Sequence, residues 1–323
     1  MDGAPGEPLS IESALVAENL ERWPQTAGGV ATLISVSENH MFRVDRDGGA
    51  PHILRLHRPG YQSRSAIASE LGWIGALRRD TDLPVPRPLA ARDGALLQEV
   101  APGRFAVLFA FEPGVEPSPA SDLVPLFETL GRYAATAHRH VLGWKQPAGF
   151  IRQVWSADAI LDSDGLWGDW RRAAQVEGAV RETLDRLDAR LRSELAAYGR
   201  GHPRFGLIHG DMRLGNLLVD GDKVTLIDFD DSGFCWFLYD LAASLSFNET
   251  LPQVPQLVRS WLTGYMAIRH LSPDDLRMID PMILLRRMAL LAWIGSHGDT
   301  ELARTHADRF AEDTAMLAQR YLG

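Results

Sequence analysis

The chain has 323 residues, of which 46% are hydrophobic and 23% are charged, a composition typical of a globular protein with a sizeable core. Its formal net charge of −9 argues against nucleic acid or an anionic membrane as the main partner, because either would favour a basic surface. The single cysteine, Cys235, excludes an intrachain disulfide, and the sequence opens without a basic and apolar leader and contains no apolar run of ~20 residues, so we expect a cytoplasmic location.

The first third of the chain is predicted to be rich in β structure. A short helix in PLSIESALVAENL, with Ser10 as a candidate N-cap, precedes β-prone runs over residues 30–58 that flank the turn-like DRDGGAP. Apolar residues at helical spacing predict a helix over 65–80. The prolines of LPVPRPL favour an extended segment, and ALLQEV and RFAVLFAF are predicted to be two further strands.

The remainder of the chain is predicted to be mainly helical. EPGVEPSPA, residues 112–120, is the best candidate linker, and it divides a β-rich part, 1–111, from a helical part, 112–323. Apolar periodicity predicts helices at roughly 121–142, 176–198, 254–269, 281–295 and 300–321. One exception is expected: NLLV and VTLID, joined by DGDK, have the pattern of a β-hairpin.

This hairpin is predicted to gather polar side chains at one end. Antiparallel strands return the chain to its starting point, so Asn216 and Asp228 are expected opposite the turn, close to the loop that carries Asp211. Mg²⁺ prefers oxygen ligands, which makes Asn216 and Asp228 candidate metal ligands and leaves Asp211 as a candidate base or orienting group for a hydroxyl. Turn formation explains Asp220 and Asp222 better.

The motifs HGDMRLGN, 209–216, and IDFDD, 227–231, resemble those of the aminoglycoside phosphotransferase-like kinases. This branch of the protein-kinase-like fold includes choline, homoserine and hydroxylysine kinases and a bacterial stress-response kinase. The resemblance implies a bilobal α+β fold with a small β-rich N-lobe and a larger, mainly helical C-lobe. It also implies ATP and Mg²⁺ as cofactors, Asp211 as the catalytic aspartate, and Asn216 and Asp228 as metal ligands. His209 and Asp240 are expected to brace the catalytic loop.

The resemblance also assigns nucleotide-binding residues in the first third. ISVSENHMFRV, 34–44, lies where the family has its phosphate-covering hairpin, so Ser37 and Asn39 are candidate phosphate contacts, although an ordinary β-turn fits equally well. Arg55 takes the position of the phosphate-binding cation. Glu70, in the helix that follows, matches the partner carboxylate of that cation, and we predict an ion pair with Arg55 because an acid beside a core-facing stripe requires a cation; a solvated glutamate is the alternative.

Further aromatic residues permit two interpretations each. The resemblance places adenine against the backbone around Phe109 and Phe111, but both phenylalanines fit core packing equally well. The region that contains Trp155, Trp167 and Trp170 also carries several aspartates, which suits either a pocket for a cationic amine or, as we favour, helix packing. The roles of Asp230 and Asp231, at the metal or as caps, stay open.

We therefore expect an ATP- and Mg²⁺-dependent phosphotransferase that moves the γ-phosphate to a hydroxyl of a small molecule. One alternative is a protein Ser/Thr kinase of the stress-response type, although only about 11 residues separate Asp228 from YDLA, which leaves little platform for a peptide. A second alternative is a nucleotide-binding pseudokinase module. Neither the acceptor nor the oligomeric state follows from the sequence.

Overall fold

The structure is a computed structural model that describes residues 10–36 and 38–323, so the predicted phosphate contact Ser37 lies outside the described residues. The chain divides into two compact units. The first comprises the described residues of Met1–Arg79, with Val85–Pro113 and Pro147–Ile151; the second comprises Asp80–Pro84, Gly114–Gln146 and Arg152–Gly323. Because short segments interleave between the units, the single boundary between 111 and 112 stays a prediction.

The first unit is rich in β structure, as predicted, and its strands form an antiparallel sheet. Helix α1 begins after Ser10, whose Oγ accepts a hydrogen bond from Ser13 N at 3.2 Å, so the predicted N-cap is confirmed. Among the described residues, the elements are α1 Ile11–Asn19, β1 Val30–Val36, β2 Asn39–Asp45, β3 His52–His57, α2 Arg64–Asp80, β4 Pro88–Leu89, β5 Leu97–Ala101 and β6 Arg104–Ala110. The strand order is β1-β2-β3-β6-β4, and β5 pairs with β6.

The two faces of this sheet cover two different apolar clusters. Side chains alternate along a strand, so Leu108 of β6 packs with Trp23 and Phe42 on one face. Its neighbours Val107 and Phe109 pack with Ile67 and Leu71 of α2 on the other face, together with Ile53 of β3. Arg55 follows Ile53 by two positions, and the same alternation therefore directs Arg55 towards α2.

The second unit is mainly helical, and with the sheet of the first unit it confirms the predicted α+β class. Its helices are α3 Val124–Gly143, α4 Ala157–Leu161, α5 Gly178–Tyr198, α6 Tyr239–Ser244, α7 Val254–Met266, α8 Pro273–Arg277, α9 Ile279–Ser296, α10 Glu301–Ala307 and α11 Phe310–Leu322. The single helix predicted over 300–321 is wrong. Arg309 has φ −128° and ψ −5°, outside the helical region, so the chain breaks there into α10 and α11.

Short strands complete the second unit. The predicted hairpin is present as β9 Leu217–Asp220 and β10 Lys223–Leu226. A further sheet, which the sequence did not predict, combines β7 Gln153–Val154, β8 Phe205–Ile208 and β11 Gly233–Trp236 in the order β7-β11-β8. Its strands are two to four residues long, too short for a clear alternation of apolar residues.

Helices α3 and α7 touch through their backbones. A Cβ atom added to Gly131 would lie 1.9 Å from Trp261 O, and one added to Gly264 would lie 1.9 Å from Glu128 O. This close approach depends on both glycines. Helix α9, in contrast, is buried along most of its length, and it carries two arginines inside an otherwise apolar segment. None of the helices described here is long and apolar enough to cross a membrane.

Candidate active site

The hairpin places Asn216 and Asp228 at the end opposite its turn, as predicted. Leu217 pairs with Leu226 at this end, and Ile227 N donates to Asn216 O at 2.9 Å just beyond the strands. Both strands lie closer to the turn than predicted. Asn216 therefore lies in a 3₁₀ turn rather than in β9, and Asp228 follows β10 with a left-handed backbone, φ 63°. Aspartate tolerates that conformation better than most residues, and such strain is common at functional sites.

Asn216 is joined directly to the loop that carries Asp211. Its Nδ2 donates to Asp211 O at 2.8 Å and to Asp211 Oδ2 at 2.6 Å. Since both amide protons are directed to Asp211, the Oδ1 atom is the part of Asn216 suited to a hard cation. Asp228 is exposed, and its Oδ1 accepts a long hydrogen bond from Asp230 N at 3.4 Å.

These residues fit a magnesium ion carried by a nucleotide. Across residues 10–36 and 38–323, no group of three or more His, Cys, Asp or Glu side chains is arranged to hold a metal. One amide oxygen and one carboxylate are few protein ligands for a metal ion, but Mg²⁺ in nucleotide sites takes most of its ligands from phosphates and water. Asn216 Oδ1 and the Asp228 carboxylate are the protein oxygens that could hold such an ion, and their role as metal ligands stays a prediction.

Asp240 fixes the backbone of the catalytic loop. Its Oδ1 accepts from Gly210 N at 2.8 Å, and its Oδ2 accepts from His209 N at 3.2 Å and from His138 Nε2 at 2.9 Å. The other ring nitrogen of His138 accepts from the Tyr265 hydroxyl at 3.0 Å, and burial lowers the pKa of His138, which keeps the ring neutral. The bracing role predicted for Asp240 is confirmed.

His209 braces the same loop from the inside. Its Nδ1 accepts from Asp211 N at 3.2 Å, and its Nε2 donates to Ile227 O at 3.1 Å. These bonds require the neutral ring, and burial lowers the pKa of His209 in the same direction. The histidine thus connects the catalytic loop to the residue before Asp228, which confirms its predicted structural role.

The Asp211 carboxylate lies between two arginines. Arg286 Nη2 donates to Oδ1 in a short hydrogen bond, and Arg213 Nε lies 3.2 Å from Oδ2. Burial would raise the pKa of Asp211, but the cations of Arg286 and then Arg213 hold the pKa of that carboxyl below its usual range. Sequence reasoning missed Arg286. The available signal was LLRRMALL, where a charge in an apolar helix requires a partner.

In the first unit, the predicted ion pair between Arg55 and Glu70 is confirmed. Arg55 Nη2 donates to Glu70 Oε1 at 2.9 Å and to Oε2 at 2.8 Å. Both side chains are buried, with 4% and 0% of their surface exposed. The guanidinium also lies 5.3 Å from the centre of the Phe109 ring. The pair joins β3 to α2, whereas the contact of Arg55 with a nucleotide phosphate stays a prediction.

The other candidate nucleotide residues have packing roles in this unit. Asn39 is buried at the start of β2, where its Oδ1 accepts from Arg58 N at 3.4 Å. Phe109 belongs to the apolar cluster beneath α2. Phe111 is partly buried, and Arg43 lies 5.0 Å from the centre of its ring. Their contacts with phosphate or adenine stay predictions.

The tryptophan-rich region is part of the packed core, which is the interpretation that we favoured from the sequence. The buried indoles are Trp155, Trp167 and Trp170. Asp162 of this region forms an ion pair with Arg192 at 2.7 Å, so its carboxylate serves the scaffold. The core nonetheless borders the site, because Trp167 lies 5.1 Å from the Arg286 guanidinium and Trp155 Nε1 donates to Asp231 O at 2.9 Å.

Comparison with known proteins identifies the family. Residues 30–272 match the family described as APH, the phosphotransferase enzyme family, and the chain belongs to it. Amicoumacin kinase of Bacillus subtilis (strain 168) is 26% identical over 294 residues, which cover 86% of this chain and 83% of that protein. Homoserine kinase of Acidiphilium cryptum (strain JF-5) is 30% identical over 269 residues, which cover 75% of this chain and 76% of that protein.

Solved structures agree with this assignment. A microcompartment-associated aminopropanol kinase has 38% sequence identity and a TM-score of 0.88, covering 96% of this chain and 97% of that one. The amicoumacin kinase hAmiN, in complex with AMP-PNP, Ca²⁺ and Ami, shares the fold at 18% identity, with a TM-score of 0.74 and coverage of 95% and 94%. The expected protein-kinase-like fold is confirmed. The chain is an enzyme, a phosphotransferase with an alcohol group as acceptor.

Proposed function

We propose that this enzyme uses ATP and Mg²⁺ and transfers the γ-phosphate to a hydroxyl of a small molecule. The observation that carries the proposal is the double hydrogen bond from Asn216 Nδ2 to Asp211, at 2.8 and 2.6 Å. It makes one rigid group of the candidate metal ligand and the candidate hydroxyl acceptor. Phosphoryl transfer depends chiefly on positioning and charge stabilisation, so a rigid group of this kind suits the reaction.

Each unit contributes its own residues to this proposal. In the second unit, Asn216 Oδ1 and Asp228 would hold Mg²⁺, which when bound neutralises charge on the phosphates. In the first unit, Arg55 would orient the phosphates while Glu70 keeps its guanidinium in place. The planar guanidinium group of arginine matches the geometry of phosphate oxygens.

Asp211 would orient the acceptor hydroxyl and receive its proton. The depressed pKa leaves this carboxylate ionised at neutral pH and weakly basic before the reaction. In a loose transition state the hydroxyl loses its proton late, when bond formation to phosphorus has made it acidic. A weakly basic, rigidly oriented aspartate is sufficient for that step.

Within the small molecules, we propose an amino alcohol as acceptor. The aminopropanol kinase shares 38% identity over nearly the whole chain, and the homoserine kinase shares 30% over three quarters of it. Aminopropanol and homoserine each carry a hydroxyl and an amine a few bonds apart. The net charge of −9 is compatible with a cationic substrate.

The nucleotide half of the proposal is tested by calorimetric ATP binding, with and without Mg²⁺, on wild type, Asp228→Ala and Asp222→Ala. Asp222 is a matched control because it is an exposed aspartate of the same hairpin, placed in its turn. We expect Mg²⁺-dependent binding in wild type and Asp222→Ala and its loss in Asp228→Ala. Binding that ignores both the metal and the mutation would favour the pseudokinase, and no binding by folded wild type would refute the proposal.

The acceptor half is tested by mass-spectrometric detection of phosphate esters after incubation with ATP and Mg²⁺. Aminopropanol, homoserine and propanol are compared at equal concentration, with a mixture of unmodified proteins as a separate arm. We expect esters of the amino alcohols. Equal turnover of propanol would remove the amine from the proposal, and exclusive labelling of protein would replace the small molecule with a protein acceptor.

A further inference from the structure

Two consecutive arginines of helix α9, Arg286 and Arg287, are almost completely buried. Their side chains have 1% and 2% of their surface exposed. Successive helical residues point about 100° apart, so the two guanidinium groups enter different parts of the second unit. A buried cation is costly without a hydrogen-bonded anion beside it. Each arginine has a carboxylate partner, but only the partner of Arg286 lies in the catalytic loop.

Arg286 reaches the catalytic loop and is held there on every nitrogen. Its Nε donates to Ser246 Oγ at 2.9 Å, its Nη1 to Gly210 O at 3.2 Å, and its Nη2 to Asp211 Oδ1. Trp167 lies 5.1 Å from the guanidinium carbon and Tyr239 lies 5.7 Å from it. A planar group bound at three points and bordered by two rings has little freedom to turn.

The fixed guanidinium of Arg286 in turn restrains the carboxylate of Asp211. Its Oδ1 accepts from Arg286, while its Oδ2 accepts from Asn216 Nδ2 at 2.6 Å and lies 3.2 Å from Arg213 Nε. The last torsion of an aspartate is soft when the carboxylate is free. Held through both oxygens by residues from different elements, this carboxylate keeps one orientation.

Arg287 has a scaffold role instead. In the described part of the chain, its nitrogens donate to Glu249 Oε2 at 2.7 Å, to Thr314 Oγ1 at 3.0 Å and to Phe310 O at 3.1 Å. Its guanidinium carbon lies 4.0 Å from the centre of the Phe310 ring. These contacts tie α9 to α11. Arg287 therefore matches Arg286 in burial, charge and helix position but serves a different partner.

We propose that Arg286 is a positioning residue for phosphoryl transfer, which fixes the Asp211 carboxylate in the orientation that receives the acceptor hydroxyl. It acts through Asp211 and not on the substrate. The inference rests on the proposed function, because it assigns the reacting carboxylate to Asp211. It goes beyond that proposal by adding a residue of α9 whose effect on turnover must depend on Asp211.

The test is a double-mutant cycle on kcat, with ATP, Mg²⁺ and aminopropanol as substrates, for wild type, Arg286→Lys, Asp211→Asn and the double variant. Lysine keeps the charge but presents a point charge that cannot contact three separate acceptors. Misplacing a reacting group by about 1 Å costs about 10²-fold, so we expect a kcat loss of about that size in Arg286→Lys with unchanged KM for ATP. The double variant should fall no further than Asp211→Asn, since both act at one group.

Arg287→Lys is the control, and we expect it to affect stability rather than turnover. It should lower the unfolding midpoint and leave kcat near the wild-type value. Ser246→Ala, which removes one contact of Arg286, should lower kcat in the same direction as Arg286→Lys but less, and it preserves a measurement if Arg286→Lys does not fold. Added methylguanidinium should restore turnover to Arg286→Ala but not to Asp211→Asn.

The outcomes separate the two proposals. Unchanged kcat in folded Arg286→Lys and in Ser246→Ala, with kcat lost in Asp211→Asn, would overturn the role of Arg286 and leave the proposed function standing. Additive losses in the double variant would show that Arg286 acts independently of Asp211, which also overturns the inference. Full turnover by Asp211→Asn, or none by wild type, would overturn the proposed function and this inference together.

Discussion

Two buried arginine–carboxylate pairs, one in each compact unit, show how similar chemistry serves different ends. Arg55 and Glu70 are 15 residues apart, on a strand and the helix that follows it. Arg286 and Asp211 are 75 residues apart, on a helix and a loop. The first pair was predicted from the sequence, and the second was not.

Exposure separates the roles of the two carboxylates. Glu70 has no exposed surface, and both of its oxygens accept from one nitrogen of Arg55, so its carboxylate is closed to a substrate. Asp211 keeps 12% of its side chain exposed while Arg286, Asn216 and Arg213 hold it. A carboxylate that is fixed and still accessible can meet a substrate. The comparison therefore supports the proposed roles, clamping for the first pair and chemistry for the second.

The largest expected effect is on turnover in the second unit. Asp211→Asn should lower kcat about 10²–10⁴-fold, because the amide can no longer accept the hydroxyl proton. Its oxygen can still accept from Arg286, but its new NH2 group faces the Asn216 Nδ2 donor. Thermal unfolding and calorimetric ATP binding therefore check that the variant is folded and binds nucleotide. Steady-state kinetics with aminopropanol measures the first effect. Retained turnover would place the proton acceptor elsewhere.

The next effect is on stability in the first unit. Glu70→Ala should lower the unfolding free energy by about 3–5 kcal/mol, because Arg55 would remain buried without its anion. Urea denaturation measures the change. Asp45→Ala, which breaks the exposed pair with Arg43 in the same sheet, is the control and should change little.

The double variant Arg55→Met/Glu70→Leu separates stability from function in the same unit. Replacing both charges with apolar side chains of similar size should recover most of the stability that Glu70→Ala loses. ATP affinity should stay low if Arg55 binds phosphate. Recovery of both stability and ATP affinity would show that the pair only stabilises the fold and does not bind phosphate.

A smaller effect is expected from the helix contact that supports the catalytic loop. Gly264→Ala would place a Cβ 1.9 Å from Glu128 O, so α3 and α7 must separate, at a cost of about 1–3 kcal/mol. In α2, Gly72 has no atom within 4 Å of an added Cβ, and Gly72→Ala should stabilise by about 0.5–1 kcal/mol. Thermal unfolding of both variants measures the contrast. Equal shifts would contradict the close approach of α3 and α7.

The smallest expected effect is the pH dependence of the second unit. Burial lowers the pKa of His138 from 6.5, so above that value the ring is neutral whether the protein is folded or unfolded. As the pH falls below 6.5, the unfolded chain binds the proton first. The unfolding free energy then falls, by at most about 1.4 kcal/mol per pH unit for this group, until the pH passes the folded pKa.

Urea denaturation of wild type and His138→Gln, at about pH 7.5 and about pH 5.5, measures this slope. The variant should lose less stability on acidification than wild type. Identical acid sensitivity of wild type and His138→Gln would remove His138 as the cause.

Much of the fold and part of the site could be predicted because their signals are local. The Asp-Gly turn predicted the hairpin, and its antiparallel geometry placed Asn216 and Asp228 at one end. Helical periodicity predicted α2, and the family resemblance then indicated Glu70 of that helix as the partner of Arg55. The break of the last helix at Arg309 and the sheet of β7, β8 and β11 left no comparable pattern.

By itself, the sequence determined the α+β class and the hairpin with its candidate metal ligands, and the resemblance that it carries indicated the ion pair of the first unit. Only the tertiary structure decided which anion neutralises Arg286, which glycines let α3 and α7 touch, and how His138 reaches Asp240. The physical reason is that local spacing and turn chemistry act within a few residues, whereas a buried cation in an apolar helix requires a partner without specifying one. Packing made that choice across 75 residues of chain.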